Sequence, residues 1–124
     1  MSGAKDRPAI VVVDDDRGIR DLIAESFDSD DYEVVGAVSA EKALPLIQEK
    51  KPALILLDVR LPGIDGIEAL RRIKKMDKGL VVVMITAFGD EKSAMRCMKL
   101  GAAAYVHKPF DVNYVTMLAQ NYLP

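Results

Sequence analysis

Five short apolar runs recur along the chain, separated by stretches of helical period, and this alternation restricts the fold more than any other feature. The runs cover residues 9–13, 32–38, 53–57, 81–85 and 104–107. Four of them have too little polar alternation for a sheet with one wet face; such strands are parallel and covered by helices on both sides. The run at 32–38 is more mixed and suits an edge. Between the runs, Ile19, Leu22, Ile23, Ser26 and Phe27 share one helical face, as do Ala40, Ala43, Leu44 and Ile47. The spacing returns in Gly66, Ala69, Leu70 and Ile73, in Ala94, Cys97, Met98 and Gly101, and in Val115, Leu118, Ala119 and Tyr122. Asp90 and Asp111 stand at N-cap positions, and Gly101 where a helix stops. Pro45 removes a backbone donor inside the second helix and predicts a kink or a late start there. Five strands alternating with five helices predict an α/β fold on a parallel sheet with right-handed crossovers.

Sites in such sheets lie outside the carboxyl ends of the strands. The first strand ends in Asp14, Asp15 and Asp16, the third in Asp58, the fourth in Thr86, and the fifth in Lys108 followed by Pro109. Parallel strands bring these four ends to one edge. Carboxylates gathered there repel one another unless a cation joins them. Hard oxygen ligands with room for water suit Mg²⁺ or Mn²⁺, not zinc. Taken singly, several of these residues have structural explanations: Asp16 reads as a helix cap, Thr86 as a turn residue and Lys108 as a solvated charge. Asp58 is different, because it follows five largely apolar residues and a carboxylate ending a buried strand is costly without a partner. A carboxylate can attack phosphorus to give an acyl phosphate. Asp58 then reads as the nucleophile, Asp14 and Asp15 as metal holders, Lys108 as the counter-charge and Thr86 as a hydroxyl donor.

Composition excludes several other classes. The chain has 124 residues, half of them hydrophobic, which suits a single globular domain. Its net charge of −2 creates no field that favours nucleic acid or an anionic membrane. Residues 1–8 lack the apolar stretch of a secretion signal, and no apolar run approaches the roughly 18 residues of a membrane span, so a cytoplasmic setting is expected. The single cysteine, Cys97, forms no internal disulfide, and the lone His107 excludes a zinc site built on several histidines.

With these residues in place, the chain resembles the receiver domain of two-component response regulators. The likeness runs from Ile10 to about Leu123, so residues 1–124 read as one receiver domain with a core over about 8–123. It is carried by VVVDDD (11–16), LLDVRLPGIDGIE (56–68), MITAFGD (84–90) and LGAAAYVHKPFD (100–111). The resemblance implies a doubly wound, flavodoxin-like sheet in the order 2-1-3-4-5. It also implies transfer of a phosphoryl group from a sensor histidine kinase, or a histidine phosphotransferase, to Asp58. The family's metal ligands match Asp14 or Asp15, Asp58 and the main-chain carbonyl of Arg60. Its switch pair matches Thr86 and Tyr105, and Lys108–Pro109 matches a bond that is usually cis.

Within the family, DDDRGIRDLI (14–23), GIDGIEALRRIKKMD (63–77), TAFGD (86–90) and NYLP (121–124) look like the stand-alone receiver of the sporulation phosphorelay. That likeness implies a surface of Gly18, Ile19, Leu22, Pro109 and Phe110 docking on four-helix-bundle partners. The expectation is a signalling module that catalyses only its own phosphorylation and dephosphorylation. It would bind no nucleic acid or membrane itself, and exist as a monomer or a weak phosphorylation-dependent dimer. Receivers of enhancer-binding transcription factors share much of this wording, so the truncated receiver of a DNA-binding regulator is an alternative. Phosphatases of the haloacid dehalogenase type also use a strand-end aspartate, but they place a second aspartate two residues later, where this chain has Arg60. A flavin carrier needs a phosphate-cradling loop after the first strand, where three aspartates would repel the phosphate.

The remaining candidates read as structural. Ile19 and Leu22 belong to a core-facing helical face or to a partner contact. His107 is a strand residue, Cys97 a small buried hydrophobe, and Met84, Met95 and Met98 core filler. Arg60 and Phe88 flank the expected phosphoryl position, where both would crowd an attacking water and slow hydrolysis.

Overall fold

The computed structural model describes residues 7–87 and 89–124; residues 1–6 of the polar start, and Phe88, lie outside the described residues. Five strands alternate with five helices: β1 (Ala9–Val13), α1 (Arg17–Ser26), β2 (Glu33–Ala37), α2 (Ala40–Lys50), β3 (Leu54–Asp58), α3 (Gly66–Met76), β4 (Val82–Ala87), α4 (Glu91–Lys99), β5 (Ala104–Lys108) and α5 (Val112–Gln120). All strand pairs are parallel, as the apolar runs predict, and they lie in the order β2-β1-β3-β4-β5 that the family resemblance implies.

Period-two alternation within the buried strands divides the core into two layers. Ile10, Val12, Leu54, Leu56, Val83 and Ile85 face Ile23 and Phe27 of the α1 side and Val115 and Ala119 of α5. Val11, Val13, Ile55, Leu57, Val82 and Met84 face Ala43 and Ile47 of α2, Leu70 and Ile73 of α3, and Cys97 of α4. The strand β2 lies at one edge and is only half-buried over most of its length.

Every helix starts on a side-chain cap: Asp16, Ser39, Asp65, Asp90 and Asp111 accept from the amides of Gly18, Lys42, Glu68, Ser93 and Asn113. Each such cap is worth about 1 kcal/mol of helix stability. Gly101, with φ of 106°, follows α4 in the left-handed conformation that ends helices.

Three expectations need correction. The helix α2 does not start late: it runs from Ala40 through Pro45. Ser39 secures its first turn, and exposed Pro45 lies beyond that turn, so the helix continues at the loss of one interior hydrogen bond. The strands β3, β4 and β5 extend one or two residues past the apolar runs, because Asp58 pairs with Ile85, Thr86 with His107 and Ala87 with Lys108 in the sheet register. Polarity ended the apolar runs, but backbone pairing continues. Finally, Met95 and Met98 are exposed, unlike Met84. The footprint of α4 on the sheet is narrow, made by the small side chains Ala94 and Cys97, and the two methionines fall outside it. No helix among the described residues is long and apolar enough to cross a membrane.

Candidate functional site

Among the described residues, the buried polar or charged side chains are Asp14, Asp58 and Thr86. They stand at the carboxyl ends of β1, β3 and β4, which are neighbours in the sheet. Burying one carboxylate is unfavourable, and two beside each other more so, unless a cation and hydrogen bonds satisfy them. Lys108, the last residue of β5, supplies part of that. Its Nζ lies 2.9 Å from Oδ2 of Asp14 and 2.9 Å from Oδ2 of Asp58. The other oxygens accept from the main chain: Asp14 Oδ1 from the Asp16 amide at 2.9 Å, and Asp58 Oδ1 from the Arg60 amide at 3.0 Å. Arg20 of α1 adds a bond of 2.8 Å to the Asp14 main-chain carbonyl.

The charges remain unbalanced. Burial pushes the Asp58 carboxyl up, the bonds from Lys108 and the Arg60 amide oppose that rise, and the charge of Asp14 adds to it; the net direction is upward. Burial alone pulls Lys108 down, but its bonds to Asp58 and Asp14 outweigh it and raise the ammonium above its usual value. Exposed Asp15 completes a set in which Asp14, Asp15 and Asp58 offer carboxylate oxygens within 4.8 Å of one another. Three carboxylates against one ammonium, with one ligand open to water, fit a hard divalent cation such as Mg²⁺. Thr86 Oγ1 is buried without a hydrogen-bond partner. An unpaired buried hydroxyl costs stability, and it is a donor in reserve for a ligand oxygen.

The loop from β3 to α3 is held tightly beside this cluster. The Gly66 amide bonds the Val59 carbonyl at 2.8 Å, and the Ile64 amide bonds Oε2 of Glu41 at 3.1 Å. A Cβ on Gly66 would lie 2.0 Å from the Asp58 carbonyl oxygen, so only glycine lets α3 start this close to the acceptor strand. Sequence reasoning assigned Gly66 to a core face and missed this role, although a glycine in the first turn of a helix was a signal. It also passed over Arg20 and Glu41, which touch the site only through backbone atoms and leave no local pattern.

The structure brings Asp14, Asp15, Asp58, Thr86 and Lys108 to one edge, with the Arg60 amide against Asp58. The Lys108–Pro109 bond is cis. Tyr105 stands apart, half-buried against the α2–α4 layer, with its ring edge-on to His107 at 5.2 Å. Ile19, Leu22, Pro109 and Phe110 line one groove together with Ala87 and Lys108, while Gly18 is exposed beside it. Leu22 is 44% exposed, so it belongs to the surface, whereas Ile19 is half-buried.

The family model described as response regulator receiver domain matches residues 10–120. The chain is 37% identical over 115 residues to Sporulation initiation phosphotransferase F of Bacillus subtilis (strain 168), covering 93% of both proteins. It is 39% identical over 104 residues to the Phosphate regulon transcriptional regulatory protein PhoB of Pseudomonas aeruginosa, where the match spans 82% of this chain but 45% of the relative. Among solved structures, the receiver domain of NtrX from Brucella abortus superimposes with a TM-score of 0.86 at 36% identity, over 92% of this chain and 97% of that one.

Proposed function

The chain belongs to the response-regulator receiver-domain family, and from that premise we propose that it accepts a phosphoryl group on Asp58 from a phosphohistidine donor in a Mg²⁺-dependent step. The observation that carries this reading is that the ammonium of Lys108 joins the buried carboxylates Asp14 and Asp58, with the buried, unpartnered hydroxyl of Thr86 at the end of the intervening strand. A carboxylate oxygen of Asp58 attacks phosphorus, the P–N bond to the donor imidazole breaks, and its electron pair returns to nitrogen. Lys108 already holds Asp58 and takes up charge on a phosphoryl oxygen as it arrives; the Thr86 hydroxyl donates to another. The Arg60 amide fixes the carboxylate plane. Asp14, Asp15, Asp58 and the Arg60 carbonyl are the groups that would hold Mg²⁺ or Mn²⁺, which when bound neutralises charge on the attacking and transferring oxygens.

This makes the chain a signalling module with sensor kinases or histidine phosphotransferases as partners, in the cytoplasm. Similarity to a sporulation phosphotransferase supports a relay role, with the group handed on. The groove of Ile19, Leu22, Pro109 and Phe110, with Gly18 beside it, is the proposed docking surface, and Tyr105 the switch partner of Thr86. The phosphatase alternative is not favoured: two residues after Asp58 stands the cation Arg60, which leaves no second carboxylate to act as general acid.

The test is incubation with Mg²⁺ and a small acyl-phosphate donor, followed by intact-mass measurement. A gain of about 80 Da is expected, absent in Asp58→Asn and absent when the metal is chelated. A phosphate retained by Asp58→Asn would overturn the assignment.

A further inference from the structure

One ion pair spans the mouth of the site. Arg60 Nη2 lies 3.4 Å from Oδ2 of Asp90. The two residues are thirty positions apart, one in the β3–α3 loop and the other capping α4. The second oxygen of Asp90 faces the Ser93 amide at 3.4 Å, so a single carboxylate both caps α4 and ties it to the loop beside Asp58. The Asp90 side chain is mostly covered, whereas that of Arg60 is mostly in solvent, 19% against 75% exposed.

We infer that Arg60 is a positioning residue with two alternative partners: Asp90 while Asp58 is bare, and the phosphoryl oxygens once Asp58 carries them, so that loading the site unties the cap of α4. The inference rests on the proposed acceptance at Asp58. Three features of the structure carry it. The Arg60 backbone cannot drift, because its amide bonds Asp58 and the loop beyond it is pinned at Ile64 and Gly66. Its guanidinium therefore pivots from a fixed point next to the acceptor. The present pair is solvent-screened and weak, as exposed ion pairs are, and so it is easily exchanged. A phosphoryl group offers nearly twice the charge of a carboxylate and three acceptor oxygens, which a planar guanidinium can meet in pairs.

On the released side, the Asp90 backbone keeps its bonds to Ala87 and Ala94, at 3.1 and 3.3 Å, while its side chain is free to move. Gly89, just before Asp90, has φ of 91° and open space around its missing Cβ. Ser93 lines the same cavity as Arg60 and Asp15, so a shift of the cap is felt at the site itself.

The experiment follows the Arg60 side-chain and Ser93 amide signals by NMR in the full chain, first with Mg²⁺ alone and then with Mg²⁺ and beryllofluoride as a phosphoryl mimic. Relative to the Mg²⁺-bound chain, both signals are expected to shift when beryllofluoride is added, with Ser93 amide exchange several-fold faster. In Asp90→Asn, which still caps, the Ser93 signal should sit near the loaded position before any addition. The response at Ser93 should be lost in Arg60→Ala and retained in Arg60→Lys. An unchanged Ser93 response to beryllofluoride in Arg60→Ala overturns the inference. Intact mass after acyl-phosphate treatment is the independent check: a loaded Asp58 with unmoved Arg60 and Ser93 signals defeats the two-partner role only. A chain that gains no mass on Asp58 defeats the acceptor reading and this inference with it.

Discussion

The two edges of the sheet carry opposite charge. In a doubly wound fold the strands end where the helices begin, so one edge collects every helix N-terminus and the other every C-terminus. The first edge holds the caps Asp16, Asp65, Asp90 and Asp111, with Glu41, Glu68 and Glu91 in first turns. The second holds Lys50, Lys74, Lys75, Arg96 and Lys99 in last turns. Both sets complement the helix dipoles, so an acidic edge is what this fold produces without any function. Subtracting the caps and first-turn acids leaves Asp14, Asp15 and Asp58, the three whose oxygens cluster. At the opposite edge backbone bonds join the starts of neighbouring strands, Ala53 to Ala9, Ile55 to Val81 and Ala103 to Val82, at 2.8–2.9 Å. Chemistry belongs to one edge and stability to the other.

The sharpest way to break that division is at Leu54, fully buried at the amino end of β3. Leu54→Ala should cost about 2–5 kcal/mol in urea titration, while phosphoryl acceptance per folded molecule stays unchanged. A folded variant that no longer accepts the group would show that the edges are not separable. Gly66→Ala is the position where the two should meet. Its methyl has no room beside the Asp58 carbonyl, so α3 must move. We expect a loss of about 1–3 kcal/mol together with slower acceptance, measured by the same titration and by mass against time. An acceptance rate equal to the unmodified chain would mean that α3 does not position Asp58.

Asp58→Asn should do the reverse of Leu54→Ala, ending acceptance while raising stability by about 1 kcal/mol in metal-free buffer. The sign follows from burial, which lifts the Asp58 carboxyl above the usual 3.8. A group whose folded value is raised favours the fold most when protonated, and that contribution is lost as pH rises through the folded value. The advantage of the variant should therefore grow as pH climbs above 3.8 and vanish below it. A pH-independent difference between the two chains would contradict the assigned cause.

The fold was legible because it rests on local signals. The apolar runs located all five strands, and Asp90, Asp111 and Gly101 marked helix limits. The acceptor cluster was legible for a related reason: topology alone brings Asp14, Asp58, Thr86 and Lys108 together once the strands are parallel. What stayed hidden depends on three-dimensional closeness without periodicity. The contact of Gly66 with the Asp58 carbonyl, the bond from Arg20 to the Asp14 carbonyl and the Arg60–Asp90 pair join residues whose spacing repeats nothing. The exposed Met95 and Met98 misled for the opposite reason, since apolar character is common on surfaces and does not by itself report burial.

The smallest predicted effect tests the division at its finest grain. Glu41, in the first turn of α2, has an ordinary explanation as a dipole partner at a helix start. Its Oε2 nevertheless accepts from the Ile64 amide at 3.1 Å and lies over Gly63, where a Cβ would meet it at 2.4 Å. A carboxylate on one helix thus restrains the loop that carries the Arg60 carbonyl, a proposed metal ligand. If Glu41 served only the dipole, Glu41→Gln would lose a few tenths of a kcal/mol and leave Mg²⁺ affinity alone, as would Glu41→Ala. If it restrains the loop, the two variants separate. The Gln carbonyl still accepts from Ile64, so Glu41→Gln keeps Mg²⁺ affinity, whereas Glu41→Ala weakens it about two- to threefold for a bond worth about 0.5 kcal/mol. Equal Mg²⁺ titrations for Glu41→Gln and Glu41→Ala would return Glu41 to the helix-start acids and leave the loop held by Asp58 and Val59 alone.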